Sequence, residues 1–208
     1  MNESDALTLL RNNHMLVFTT REFAMLANIS MSFASHMLRR LTTKKHLTRI
    51  YQGLWADTQN IHFNAFVVVP YLTRPHLAAV SLLSALHLHE MIEQIPQTIY
   101  VVTTAHTKRI KTPVGSYSLH HMTPEFFDGY DYYQKEGSFL IACPEKALID
   151  CLYLSSRKGR GFFTLPELTL PKNFNYHLCL KFIKKIHYPR LQVTVQKKLE
   201  TFSKRGLE

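Results

Sequence analysis

Between Ser32 and Gln52 the chain sets out side chains that suit contact with a polyanion: Ser32, Ser35, His36, Arg39, Arg40, Lys44, Lys45, Arg49 and Gln52. Hydroxyls, an imidazole and a glutamine amide can hydrogen-bond base edges. Arginine can bind guanine in a bidentate manner, and arginine or lysine can bind phosphate. Placing Ser30–Thr43 on a helical wheel at ~100° per residue separates two faces. Phe33, Ala34, Met37, Leu38 and Leu41 fall on one side, whereas Ser32, Ser35, His36, Arg39, Arg40 and Thr43 fall on the other. One side is expected to pack and the other to present donors and positive charge.

The neighbouring residues say what must hold such a helix. Thr19–Glu22, "TTRE", matches a capping box, and Phe23, Leu26 and Ala27 follow at helical spacing. Ser30 can cap the next helix. After it, "HLTRIYQGLWAD" reads as two strands joined at Gln52–Gly53. Two helices across a short turn, then a helix and a β-hairpin, is the order of a winged helix-turn-helix. There the second helix enters the major groove. Ser32, Ser35 and His36 are then base-edge candidates, and Arg39 suits guanine or phosphate. Arg40, Lys44 and Lys45 suit the backbone, while Arg49 and Gln52 on the wing reach backbone or minor groove.

Other constellations read as structural. His87 and His89 are two apart, His120 and His121 are adjacent, and neither pair has the i, i+4 spacing of a helical zinc motif. Glu145, Lys146 and Asp150 in "PEKALID" lie along one helix instead of converging from a strand pair as nuclease carboxylates do. Glu145 in the first turn is favoured by the helix dipole. No P-loop, dinucleotide fingerprint or nucleophile elbow is present, so no catalytic residue, metal or cofactor is expected.

Lysine and arginine outnumber acids by 25 to 15, a net charge of +10 that favours polyanionic partners. The excess is uneven. Residues 1–57 carry a net +3, 58–171 are neutral, and 172–208 carry +7 through Lys181, Lys184, Lys185, Arg190, Lys197, Lys198 and their neighbours. This tail is either a second polyanion surface or a solubilising face. "RKGRGFF" (157–163) reads as a basic glycine turn. Cys143, Cys151 and Cys179 are odd in number and lack C-x-x-C spacing, which suits reduced thiols in a cytoplasmic protein. The start "MNESDALTLL" lacks the pattern of a signal peptide. "AAVSLLSALHLHEMIEQI" is interrupted by charge and histidine before reaching membrane-spanning length, so no membrane partner is expected.

The remaining elements are expected as follows: a helix over Ser4–His14, a strand at 15–19, a linker at 58–63 and a strand in "NAFVVV" (64–69). Further on come a helix over Pro75–Glu93, strands at 98–104, 115–122 and 138–142, a helix opened by Pro144, and helices near 176–186 and from Arg190 onward. The fold class is therefore α+β, with a winged helix-turn-helix over residues 1–57 and one mixed α+β domain over 64–208.

The residues "AAVSLLSALHLHEMIEQIP", "IYVVTT", "TPVGSYSLHHMTP" and "IACPEKALIDCLYL", behind the N-terminal winged-helix pattern, resemble the AbiEi-type antitoxins of bacterial type IV toxin–antitoxin, or abortive-infection, phage-defence systems. The resemblance runs from about Val17 to Leu170. It is most specific in "SLLSALHLHEMIEQIP" and "CPEKALIDCLYL". The common form has glycine where this chain has Glu90, which is expected to alter a turn. The resemblance implies a DNA-binding antitoxin and transcriptional regulator without enzymatic activity. Such a protein represses its own promoter by binding operator repeats in double-stranded DNA, and counters a cognate nucleotidyltransferase toxin encoded alongside. The alternative is a stand-alone winged-helix regulator whose C-terminal domain senses a ligand or oligomerises.

Overall fold

The structure, a computed structural model, describes residues 1–133, 139–157 and 165–205, with side chains to Phe202. The chain is mixed α and β and divides into two compact units. The first comprises Met1–Val68 with Lys111–Gly115; the second is built from Val69–Ile110, Ser116–Tyr133 and the chain from Phe139 onward.

The first unit opens with α1 (Glu3–Asn12), fixed by a capping box between Asn2 and Asp5. Strand β1 (Val17–Thr19) runs directly into α2 (Thr20–Leu26). The "TTRE" box is formed: Thr19 Oγ1 accepts from the Glu22 N–H, and the Glu22 carboxylate accepts from the Thr19 N–H. Helix α3 (Met31–Thr43) begins at Ser30, whose hydroxyl accepts from the Phe33 N–H. Strands β2 (Thr48–Tyr51) and β3 (Leu54–Ala56) form the hairpin, turning at Gly53 with φ +79°. β3 pairs antiparallel with both β1 and β2, giving the order β1-β3-β2. The core of this unit gathers Ala6 and Leu10 of α1, Phe18 of β1, Phe23 and Ala24 of α2, four residues of α3, Leu47 and Trp55.

Helices α1, α2 and α3 share one ending. At the close of α3, the Lys45 N–H donates to the Thr42 carbonyl and the His46 N–H to the Leu41 carbonyl, with Lys45 at φ +62°. His14 and Asn28 occupy the same left-handed position after α1 and α2. These are Schellman caps, in which glycine is the usual residue. Here histidine, asparagine and lysine serve instead.

A 3-10 turn (Ala65–Val68) and α4 (Val69–Leu72) occupy the stretch expected to be a strand. Asn64 makes the difference, since its carboxamide oxygen accepts from the N–H groups of Phe66 and Val67 and starts a turn. The expected helix over Pro75–Glu93 is instead strand β4 (Ala78–Val80) followed by the shorter α5 (Leu82–Leu88). The all-apolar run hid the change of state, because β4 is central in its sheet and both faces are covered.

Strands β5 (Ile99–Thr103) and β7 (Gly115–His121) form as expected, and β6 (Lys108–Thr112) is an additional strand beside β7. After a 3-10 turn (Pro124–Phe126) come β8 (Tyr130–Tyr132), also unanticipated, and β9 (Leu140–Ala142). The sheet order is β6-β7-β5-β4-β9-β8. β5 runs parallel to β7 and β4 parallel to β9, while the β4–β5 and β8–β9 pairs are antiparallel.

Helix α6 (Pro144–Ser156) starts at its proline and is buried continuously from Glu145 to Leu154, packed by α5, α7 (Tyr176–Lys184) and α8 (Pro189–Arg205). Of the basic turn at 157–163, residues 158–163 lie outside the described residues. Among the described residues no helix is long and apolar enough to cross a membrane.

Candidate nucleic-acid interface

Helix α3 is held from below and behind. Ala34, Met37, Leu38 and Leu41 are buried in the core of the first unit. Trp55 Nε1 donates to Thr20 Oγ1 across 2.9 Å, and the Thr20 N–H donates to the Gly53 carbonyl across 3.0 Å. The hairpin is thereby fixed to the start of α2. Thr48 and Thr58 share a hydroxyl hydrogen bond, and the Gln59 amide donates to the Lys45 carbonyl, tying the chain after β3 back to the end of α3.

The outward face is where the sequence residues meet. Ser32, His36 and Arg39 are exposed and lie about 180° from the buried stripe at the helical angle. Ser35 sits half-buried on one flank. Arg39 makes no ion pair with any described residue, and its carbonyl accepts the Thr43 hydroxyl. This row of donors stands on a helix whose diameter, about 10–12 Å, matches the width of a DNA major groove.

On the other flank, Arg40 and Lys44 are drawn to α1. Glu3 Oε1 lies 2.6 Å from the Arg40 guanidinium and Oε2 lies 2.7 Å from Lys44 Nζ. The Lys44 hydrogen bond holds the Glu3 carboxyl below its usual range, with the Arg40 charge adding to the effect. Both cations stay more than half exposed, at 60% and 57% of their side chains. They are oriented by Glu3 and still open to solvent.

Lys45 sits apart from the helical face, because its left-handed backbone closes α3. On the hairpin, the Arg49 guanidinium lies 5.6 Å from the centre of the Trp55 ring, and a bulge falls between Arg49 and Tyr51. Gln52 is exposed in the turn beside Gly53.

Phe33 departs from the expected packing face. It is 46% exposed, because it stands about 90° from the middle of the buried stripe. With Ser30, Ser32, His36, Met37 and Arg40 it lines an open depression of about 310 Å³. Its position at the stripe's margin was the only signal in the sequence.

The residues of "PEKALID" are turned inward. Lys146 Nζ meets Asp150 Oδ1 at 2.5 Å, and Asp150 Oδ2 accepts from Ser81 Oγ at 2.7 Å and from Tyr130 OH at 2.9 Å. The Phe126 ring centre is 3.5 Å from the same ammonium. Burial lowers the Lys146 pKa, partly offset by Asp150. Burial and the neighbouring Asp150 charge raise the Tyr130 pKa well above its ordinary value. Glu145 accepts from the Asn175 N–H at 2.8 Å. Each carboxylate thus serves an internal partner.

His89 bonds the Ala142 carbonyl, and His120 bonds the Ser118 hydroxyl. Among the described residues no three of His, Cys, Asp or Glu gather to hold a metal. The cysteines are free. Burial pushes Cys143 to about 11 and Cys179 to about 12, so both are protonated thiols at neutral pH.

No protein-family model and no curated protein matches the chain.

Proposed function

We propose that the protein is a DNA-binding antitoxin and autorepressor of the AbiEi type, without enzymatic activity of its own. Its first unit is read as a winged helix-turn-helix, with α2 and α3 as the helix pair and β2–β3 as the wing. The observation that carries the reading is the outward face of α3, where Ser32, His36 and Arg39 stand opposite the core with Arg39 uncommitted among the described residues. Arg40, Lys44, Lys45, Arg49 and Gln52 flank that row as backbone contacts. The second unit carries the function directed at a nucleotidyltransferase toxin.

The test uses the full chain and a duplex from upstream of its own reading frame. Arg39→Ala is expected to weaken binding by about 1–3 kcal/mol if it reads guanine. If it binds phosphate, the slope of log K against log salt falls by about 0.9. Unchanged affinity together with an unchanged slope removes α3 as the reader. Co-expression with a neighbouring nucleotidyltransferase reading frame tests the antitoxin half, with restored growth the expected result.

A stand-alone, ligand-sensing regulator is the second reading. It is favoured by a groove of about 380 Å³ in the second unit whose surface is about equally polar and apolar, lined by residues including Leu148, Leu165, Glu167, Leu168, Tyr176 and Phe202. Absence of a toxin gene beside this one, with a small molecule that shifts the melting temperature, would select it.

A further inference from the structure

Phe33 is where the chemistry of α3 and its exposure disagree. The phenyl ring belongs to the first turn of the helix, one turn before His36 and two before Arg40, and it is 46% exposed. Its neighbours around the depression are hydroxyls, an imidazole, a thioether and a guanidinium. A single exposed apolar side chain is ordinary. This one is set among donors and cations on the half of the helix that would meet base edges. The only apolar group a base pair presents in the major groove is the 5-methyl of its pyrimidine, on thymine or on methylated cytosine.

We infer that Phe33 is a specificity-determining residue that packs against a pyrimidine 5-methyl group in duplex DNA, beside the base edge reached by Ser32 or His36. The inference rests on the nucleic-acid reading of α3 and adds an apolar contact to its polar ones. Arg39 in the outward row, with Arg40 and Lys44 on the flank, supplies the charge complementarity that brings DNA to this face.

The experiment takes the full chain and the duplex it enriches from a randomised library. Each thymine is replaced in turn by uracil, which lacks only the methyl. Wild type is expected to lose about fourfold in affinity at one position at least, the equilibrium equivalent of one buried methyl-sized group. Phe33→Ala loses that penalty at the same position, whereas Phe33→Leu keeps part of it and Arg39→Ala keeps all of it. Putting 5-methylcytosine rather than cytosine at that position restores the same factor if the methyl alone is recognised. Failure to do so assigns the contact to thymine specifically. Both variants at position 33 are checked by thermal melting, and Phe33→Leu carries the test if the alanine variant is unfolded.

A uracil scan that Phe33→Ala leaves unchanged overturns the inference. If Arg39→Ala still weakens binding in that case, only the methyl contact falls. If no duplex is enriched, or Arg39→Ala binds as wild type does, the reading of α3 falls with it.

Discussion

Asp150→Asn removes one charge from the middle of the second unit and very little else. Asparagine has nearly the same shape and keeps an oxygen that can accept from Ser81, Tyr130 or Lys146. What it cannot do is balance the Lys146 ammonium, whose side chain has no exposure to solvent. The Phe126 ring at 3.5 Å offers a cation–π contact, worth about 2 kcal/mol when desolvated and too little to replace a carboxylate.

Breaking a buried pair in this way costs about 3–5 kcal/mol. An independent ceiling comes from the escape route open to any buried lysine, which is to drop its proton. Releasing it at pH 7 from an ordinary value of about 10.4 costs roughly 4.6 kcal/mol. The two figures agree, and either is a large part of a typical 5–15 kcal/mol stability.

The escape route also fixes a pH dependence. In the variant, Lys146 has a native pKa depressed further than in wild type, while the unfolded value is unchanged. Between the two values the unfolded chain binds the extra proton, so stability relative to wild type rises with pH. The deficit should shrink by up to about 1.4 kcal/mol per pH unit between pH 7 and 9.5.

Urea denaturation of both proteins at several pH values, followed by far-UV circular dichroism, measures it. Subtracting wild type cancels the titration of groups remote from Asp150, and burial, the larger cause of the raised Tyr130 pKa, acts in both proteins. A deficit below about 1 kcal/mol at pH 7, or one that stays constant to pH 9.5, would falsify the account of Lys146 as a buried charge held by Asp150. Lys146→Met with Asp150→Leu should recover only part of the loss, since the buried charge is gone but the Ser81 and Tyr130 hydroxyls lose their acceptor.

Two further substitutions probe backbone and charge. Glu90→Gly should raise stability by about 0.5–1 kcal/mol: Glu90 sits at φ +58° in the Schellman cap of α5, where its Cβ is disfavoured by about 1–2 kcal/mol and glycine returns part of that as lost entropy. A thermal melt reads the gain, and an unchanged or lower midpoint contradicts it. Glu3→Gln releases Arg40 and Lys44, so DNA affinity should increase while stability falls slightly at neutral pH. The lowered Glu3 pKa means its stabilising contribution is present above the unfolded value and is lost as pH falls through the native one. Variant and wild type should therefore converge in acid, and a stability gap that persists at pH 2 argues against the ion pair.

What the sequence made legible depended on whether the signal was local. The Thr19–Glu22 box, the Ser30 cap and the Gly53 turn each act within three residues, and α2, α3 and the hairpin formed as expected. The ends of α1 and α5 were harder to place, because His14 and Glu90 take the left-handed positions that glycine would have marked. β4 was hidden for a different reason: Ala78–Val80 is buried on both faces and gives no period with which to tell strand from helix. β6 failed in the opposite sense, since "KRIKT" is a charged strand at one end of the sheet order and reads as a loop. Within the candidate site the periodicity of α3 carried Ser32, His36 and Arg39. It could not reveal Glu3, which approaches Lys44 from 41 residues away.

Counted charge also overstates the cationic surface at the C-terminal end, where residues 172–208 hold nine Lys and Arg against two acids. Lys185 pairs with Asp128 at 2.5 Å and holds that carboxyl below its usual range. Lys198 donates to the Ser155 carbonyl and hydroxyl. Lys181, Lys184, Arg190 and Lys197 remain exposed, without an ion pair among the described residues. Deleting the chain from Arg190 would not isolate their effect. Helix α8 buries Val195 and Leu199 and packs on α6, and those two side chains alone are worth roughly 3–6 kcal/mol. The deletion is expected to unfold the second unit, whereas glutamine at the four exposed positions should leave its urea midpoint unchanged. The salt slope of the glutamine variant then reports directly how many phosphates these cations neutralise, falling by about 0.9 for each phosphate freed. A shifted midpoint in that variant would show that these cations belong to the fold and not to its surface.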